Sequence, residues 1–228
     1  MPEMDPARRQ VLRCSPLFSR LGDAEADAIL AHAKVIRYPE GAEIFRKGEP
    51  GNSMMAVLSG RVTISAPSPD GRQVVLSVLR AGEVFGEIAA LDGKQRTADA
   101  TAATECELLV VARRDFLSVL RHEPELCLQL LMVFCGRIRR TDEQVEDLAF
   151  LDLETRIAKT LLRLAEEQNG GGLAAAVGVR ISQRALGEIV GGSRESVNKH
   201  LQDFKRAGII AIEKGAIRIR DVAALAAS

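Results

Sequence analysis

The stretch Phe85-Gly86-Glu87-Ile88-Ala89-Ala90-Leu91-Asp92-Gly93-Lys94-Gln95-Arg96-Thr97-Ala98 decides how the rest of the chain is read. It follows a β-like run, passes through a short apolar helical turn, and returns through Arg96-Thr97-Ala98 to a second β-like run. A glycine ahead of a short helix lets backbone N–H groups approach a ligand, and a helix N-terminus favours an anion. Arg96 adds a permanent charge on a planar fork that matches phosphate oxygens. Glu87 offers an acceptor for a sugar hydroxyl, and Thr97 a small donor and acceptor. These are the parts of a cradle for a compact sugar phosphate. The bland alternative on this stretch alone is a β-turn-β with one surface arginine.

Around this insert the chain alternates in short strands. Apolar runs at 35–38, 43–46, 54–59, 61–66, 73–79 and 106–112 are separated by Pro39-Glu40-Gly41, Lys47-Gly48-Glu49-Pro50-Gly51, Ser59-Gly60, Pro69-Asp70-Gly71 and Ala81-Gly82. Asp-Gly between alternating runs is a strong hairpin signal, and many closely spaced short strands predict a β-barrel or jelly roll. Ahead of them, residues 6–33 read as short helices, with Asp23 placed to cap 24–33.

Beyond the strands the period changes from two to three and four. Cys127, Leu131, Phe134, Ile138, Thr141, Val145 and Leu148 follow alternating gaps of four and three, a heptad seam that suits a parallel two-stranded coiled coil. An amphipathic helix packed on its own barrel would share this pattern. Leu126, Leu130 and Val133 lie beside the first half of the seam, so one helix can face its barrel and a partner together. Thr141 is the polar member of the seam and Asp142 sits next to it.

Phe150-Leu151-Asp152 breaks the seam, a second amphipathic helix spans 153–167, and Asn169-Gly170-Gly171-Gly172 ends it. A strand is expected at 177–181. Ser182 then caps a helix carrying Leu186, Ile189 and Val190, Gly191-Gly192 turns the chain, and Ser193 caps a further helix with Glu195 near its positive end. That helix buries Val197, Leu201 and Phe204 and turns Arg194, Glu195, Asn198, Lys199 and Gln202 outward, as in a helix-turn-helix. Runs at 209–213 and 216–220, joined by Lys214-Gly215, add a β-hairpin wing.

Composition narrows the function classes. The 31 basic and 31 acidic residues cancel, yet nine Arg or Lys face four Asp or Glu between residues 180 and 220. A local cationic surplus over a helix-turn-helix reads as a phosphate-backbone footprint. No apolar run approaches the ~20 residues of a membrane span, and no signal peptide is visible, so the chain reads as cytoplasmic. Cys14, Cys106, Cys127 and Cys135, with His32, His122 and His200, form no metal-ligand spacing, and no catalytic motif is present. No metal, redox cofactor or enzyme activity is expected.

Taken together, Phe85-Gly86-Glu87 with Arg96-Thr97-Ala98, Leu148-Ala149-Phe150-Leu151-Asp152, and Ile189-Val190-Gly191 with Ser193-Arg194-Glu195-Ser196-Val197 resemble the cyclic-AMP receptor protein branch of the Crp/Fnr regulators. Gly48, Gly60 and Gly86 match the turn glycines of that family's β-roll. The resemblance implies an α+β architecture. A β-roll (jelly roll) cyclic-nucleotide-binding domain would span 1–123, a dimerisation helix and hinge 124–151, and a winged helix-turn-helix 152–228. It implies that Gly86, Glu87, Ile88 and Ala89 line the ribose and phosphate, Glu87 taking the 2′-hydroxyl, with backbone N–H groups around Ala89 and Ala90 assisting. Arg96 and Thr97 would hold the cyclic phosphate, and Thr141 the adenine amine.

Asp142, across from the base in the partner chain, departs from the small polar residue usual there. The resemblance makes cyclic AMP the first effector expected, and because a carboxylate accepts the paired N–H groups of guanine well, cyclic GMP is expected beside it. Ser193, Arg194, Glu195, Asn198 and Lys199 would face a palindromic double-stranded operator containing G·C pairs. A homodimer is implied, as is an RNA polymerase contact. Lys199 and Asn198 depart from the residues common in relatives, and His200 stands where an apolar residue is usual, as a half-buried packing residue. Two other readings remain open at this point: a nucleotide-binding protein without a DNA role, and a regulator with a different effector or none.

Overall fold

The alternating runs between residues 34 and 112 resolve into two four-stranded sheets in the computed structural model, which describes residues 10, 15, 17, 18, 30, 33–67, 73–168, 178–213 and 216–228. The chain divides into two units, residues 1–71 with 75–139 and residues 72–74 with 140–228.

In the first unit the strands are β1 (Lys34–Tyr38), β2 (Glu43–Phe45), β3 (Ser53–Ser59), β4 (Arg61–Pro67), β5 (Gln73–Arg80), β6 (Val84–Phe85), β7 (Asp99–Ala102) and β8 (Cys106–Ala112). One sheet has the order β1-β8-β3-β6 and the other β2-β7-β4-β5. The pairs β1/β8, β3/β8, β3/β6, β2/β7 and β4/β7 are all antiparallel. Helix α1 (Glu87–Asp92) lies between β6 and β7, so the inserted stretch leaves one sheet and enters the other. Helices α2 (Arg113–His122) and α3 (Pro124–Phe150) follow, and α3 runs on into the second unit.

The period-two geometry of a strand explains how β3 becomes buried on both faces. Met55 and Val57 join Phe45, Val62, Leu79, Phe85, Ala100 and Leu108 between the sheets. Met54, Ala56 and Leu58 point the other way, onto Phe116 of α2 and Leu126 and Leu130 of α3. Gly60 turns the chain from β3 to β4 with φ of 82°, and a Cβ there would lie 2.2 Å from the Glu105 carbonyl oxygen.

The expected strands between 35 and 112 are present within a residue at each end. β6, β7 and α2 were not expected. β6 is two residues long, β7 reads Asp-Ala-Thr-Ala without large apolar residues, and α2 buries only Phe116. The expected helices at 6–33 and the turns at Pro69-Asp70-Gly71, Asn169-Gly170-Gly171-Gly172 and Lys214-Gly215 lie wholly or largely outside the described residues.

α3 corrects the expected seam. Cys127 is half-buried, with its Sγ donating to the Leu120 carbonyl at 3.3 Å, and Phe134 packs on the first unit's core. The large exposed apolar residues of α3 are Leu128, Leu131, Met132, Ile138, Val145, Leu148 and Phe150, so Leu131, Ile138, Val145 and Leu148 of the expected seam do face outward. Thr141 and Asp142 are both exposed beside this stripe. Cys127 and Phe134 leave the seam because the first half of α3 packs on its own domain.

In the second unit, α4 (Leu153–Gln168), α5 (Gln183–Val190), α6 (Arg194–Arg206) and α7 (Val222–Ala226) surround a sheet of order β10-β11-β9, formed by β9 (Gly178–Arg180), β10 (Ile210–Glu213) and β11 (Ala216–Ile219). Ile157, Leu161, Leu186, Val197, Leu201, Phe204, Ile210 and Ile219 make its core. The strand expected at 177–181 is the third strand of the wing sheet, paired Val179 to Ile217.

Candidate functional site

β6 delivers the chain to Gly86, the N-cap of α1, with φ of 74° and ψ of 3°. A Cβ at this position would lie 2.5 Å from Arg96 Nη1, so conformation and space both call for glycine. Gly86→Ala should cost about 1–2 kcal/mol of stability from the left-handed backbone alone. Denaturant unfolding checks this, and an unchanged midpoint would contradict it.

Among the described residues, the charged ones that are buried are Glu87 and Arg96, and they lie at the start and the far side of this turn. Glu87, 1% exposed, accepts through Oε1 from Arg137 Nη1 on α3, while Arg137 Nη2 donates to the Val84 carbonyl. Glu87 Oε2 is buried with no hydrogen-bond partner. Burial pushes the Glu87 carboxyl above its ordinary range, and the Arg137 guanidinium opposes this.

Arg96 is 5% exposed. Its Nη1 donates to the Gly86 carbonyl at 2.8 Å and its Nη2 to Ser53 Oγ at 3.1 Å. The guanidinium carbon sits 4.2 Å from the centroid of the Phe45 ring. Nε is buried and has no hydrogen-bond partner. Burial pushes Arg96 below its ordinary range, with the Glu87 and then the Glu49 carboxylate acting against it. Both its hydrogen bonds go to neutral acceptors, and it forms no ion pair among the described residues. A buried cation in this state presents charge and unused N–H donors to an incoming anion.

The structure therefore brings Gly86, Glu87 and Arg96 together. Thr97 is exposed next to Arg96, Ile88 turns its side chain to solvent at 42% exposure, and Ala89 is buried. The Ala90 N–H donates to the Gly86 carbonyl at 3.3 Å, closing the first turn of α1, so it is not the free donor expected. Thr141 and Asp142 are exposed on α3. Arg137, Ser53 and Phe45 were missed. Arg137 precedes Thr141 by four residues on the same helical face, and following that face back one turn would have found it. No such pattern points to Ser53.

The second unit has its own polar face. Ser182 accepts from the Ala185 N–H at 3.1 Å and caps α5, and Ser193 accepts from the Ser196 N–H at 3.1 Å and caps α6. Gly187 allows the close packing of the turn, since a Cβ there would lie 2.8 Å from the Gly192 carbonyl oxygen. With Val197, Leu201 and Phe204 buried, α6 exposes Arg194, Glu195 and Lys199. Glu195 is held below the usual carboxylate range by its own backbone N–H and then by the Ser193 hydroxyl, so it is an acceptor. Asn198 is half-buried and its Oδ1 accepts from Gln183 Nε2 at 3.0 Å, tying α6 to α5. His200 is half-buried, with Nδ1 3.4 Å from Glu154 Oε2.

Arg156, also missed, donates to the Leu151 carbonyl at 3.0 Å and to the Val190 carbonyl at 3.1 Å. It ties the residue after α3 to the end of α5. Asp152 caps α4 through the Thr155 N–H at 2.8 Å, and Lys159 pairs with Asp147 at 2.6 Å. No described helix is long and apolar enough to cross a membrane, and no cluster of metal-binding side chains occurs among the described residues.

Comparison with known proteins agrees with this layout. Residues 35–123 match the cyclic nucleotide-binding domain, and residues 155–228 match the Crp-like helix-turn-helix domain. The chain is 34% identical over 220 residues to a CRP-like cAMP-activated global transcriptional regulator of Mycobacterium tuberculosis, covering 95% of this chain and 97% of that one. It is 31% identical over 214 residues to the cyclic AMP receptor protein of Thermus thermophilus, covering 94% and 96%. Among solved structures, the c-di-GMP responsive global regulator CLP of Xanthomonas campestris superposes with a TM-score of 0.80 at 26% identity, covering 87% of this chain and 99% of that one. A cyclic-nucleotide-binding domain followed by such a helix-turn-helix defines a ligand-responsive, DNA-binding transcription regulator, a class of regulators and not of enzymes. The chain belongs to the Crp/Fnr family.

Proposed function

We propose that this regulator is a homodimer switched by a purine cyclic mononucleotide, cyclic AMP first and cyclic GMP beside it. The observation that carries the effector reading is the charge arrangement in the cradle. Glu87 is paired with Arg137, whereas the hydrogen bonds of the buried Arg96 go to neutral acceptors. Arg96, with Thr97 beside it, takes the cyclic phosphate. Gly86 and the start of α1, Ile88 and Ala89 included, form the wall, and Glu87 accepts from the ribose 2′-hydroxyl. Thr141, and Asp142 of the second copy, meet the base. The exposed stripe of Leu128, Leu131, Ile138 and Val145 supports pairing of two α3 helices.

Arg194, Glu195 and Lys199 read base edges in the major groove, Arg194 toward guanine and Glu195 toward cytosine. Ser193 sits at the phosphate backbone, and Asn198 supports the reading face from its bond to Gln183. Two half-sites about one helical turn apart make the operator palindromic, and RNA polymerase is the downstream partner. Ligand shifts the dimer toward DNA only as far as it binds the DNA-competent state more tightly.

Calorimetry with cyclic AMP, cyclic GMP and cyclic di-GMP, followed by gel shifts on a palindrome of TGTGA-like half-sites, tests the proposal. The expected outcome is binding of a cyclic mononucleotide and a ligand-dependent shift. Cyclic di-GMP is included because a structural neighbour responds to it. Binding of that ligand alone, or a shift indifferent to every ligand, would overturn the effector assignment. Ligand binding with no shift would favour a nucleotide-binding protein without a DNA role.

A further inference from the structure

We propose that Phe45 is the positioning residue of the cradle: its ring carries one face of the Arg96 guanidinium and holds that cation ready for an anion without neutralising it. The inference rests on the reading of Arg96 as the phosphate anchor.

Phe45 ends β2, is 8% exposed, and lies in the core between the two sheets. Its ring packs on Phe85 with centroids 5.8 Å apart at 34°. Phe85 is the residue before Gly86, whose carbonyl accepts from Arg96 Nη1 at 2.8 Å. One aromatic pair thus underlies both the backbone acceptor that aims the guanidinium and the guanidinium itself. With the carbon 4.2 Å from the ring centroid, the cation lies in the attractive range of the aromatic quadrupole, and the contact strengthens where water is excluded.

The chemistry of this support matters. A carboxylate under Arg96 would stabilise the buried charge equally well, but it would compete with an incoming phosphate. An aromatic face is uncharged, so the full positive charge remains for the ligand. Of the five N–H donors of a guanidinium, two are engaged by Gly86 and Ser53, and Nε is buried with no partner. The face on Phe45 fixes the plane of the fork and therefore where the remaining donors point. Of the carboxylates near enough to act on Arg96, Glu87 and Glu49, neither accepts a hydrogen bond from it, and Glu87 Oε1 accepts from Arg137.

The test uses the full-length protein with Phe45→Leu, Phe45→Met and Phe45→Tyr. Binding of cyclic AMP and of adenosine, which has the base and sugar but no phosphate, is measured by calorimetry and competition. The Arg96 Nε–H resonance is followed by NMR, because a guanidinium stacked on a ring carries a ring-current shift. We expect Leu and Met to weaken cyclic AMP about tenfold, leave adenosine unchanged and abolish the ring-current shift. Tyr should retain both affinity and shift.

Unchanged cyclic AMP affinity in Phe45→Leu or Phe45→Met would overturn the inference. Equal loss of both ligands, or no rescue by Tyr, would reduce Phe45 to a packing residue. If Leu fails to fold, Met, of similar volume and without a ring, decides. If adenosine is too weak to titrate, the resonance together with the Tyr rescue decides. Wild-type protein that binds no cyclic nucleotide while showing the ring-current shift would instead overturn the phosphate-anchor reading.

Discussion

Arg96→Leu should weaken cyclic-nucleotide binding by at least about a hundredfold, from two charge-assisted bonds at about 1.5–3 kcal/mol each. It should also remove ligand-dependent DNA binding. The fold should tolerate the change, because the side chain that is lost is a buried cation with no carboxylate partner. Removing such a group also removes its desolvation cost, which partly offsets the two lost bonds to Gly86 and Ser53. Arg96→Lys, which keeps the charge and loses the planar fork, should fall between wild type and leucine. Calorimetry gives the affinity and a gel shift the DNA response. If Arg96→Leu binds and responds as wild type does, the cradle does not hold the effector through Arg96, and a vestigial cradle or a different effector becomes the better reading.

Arg137→Met should be the most damaging single change to stability in the cradle. It leaves the Glu87 carboxylate, 1% exposed, without its cation. Breaking a fully buried pair costs about 3–5 kcal/mol, and because the Arg137 side chain is 33% exposed we expect about 2 kcal/mol here. Adding Glu87→Gln to Arg137→Met should restore much of the loss, since a neutral amide needs no cation.

The pH dependence has a definite sign. Burial already raises the Glu87 carboxyl above its ordinary value, and removing Arg137 removes the leading opposing influence. A carboxyl raised in the folded state contributes stability below its unfolded value and loses it as pH rises through the folded one. The deficit of Arg137→Met should therefore shrink as pH falls toward the ordinary carboxylate range, and that of the double variant should not. Denaturant unfolding at several pH values reads this directly. A deficit independent of pH would mean that Arg137 acts through packing and not through charge.

Much of the candidate site was legible before the fold was known. Glu87 and Arg96 stand out because a short helical insert in a β-rich region carries a glycine, an acid and a guanidinium in close sequence. The helix caps Ser182 and Ser193 were readable for a similar reason, since capping is local and the hydroxyl reaches an N–H three residues on. β7 was not readable. Its inward residues, Ala100 and Ala102, are small where they face a crowded interior, and alanine carries no strand signal of its own. The seam of α3 was legible at Leu131, Ile138, Val145 and Leu148 but not at its barrel-facing positions. Cys127 and Phe134 look like seam residues until the barrel is present to claim them.

The sequence by itself determined the order of the parts and the local chemistry: a β-rich half with a phosphate-like turn, a long amphipathic helix, and two capped helices with a cationic outer face. It also supplied two acceptable partners for Glu87, Arg96 in the same turn and Arg137 fifty residues away. Only the tertiary structure decided between them. Packing of Leu126 and Leu130 against β3 and its neighbours brings α3 alongside the cradle, so that Arg137 reaches Glu87 and the Val84 carbonyl. Phe45 and Ser53, from strands in different sheets, hold Arg96 where it makes no hydrogen bond to that carboxylate. An ion pair forms where burial brings opposite charges within reach, whatever their separation along the chain. The guanidinium left over, supported by an aromatic face and neutral hydrogen-bond acceptors, is the one we propose meets a phosphate.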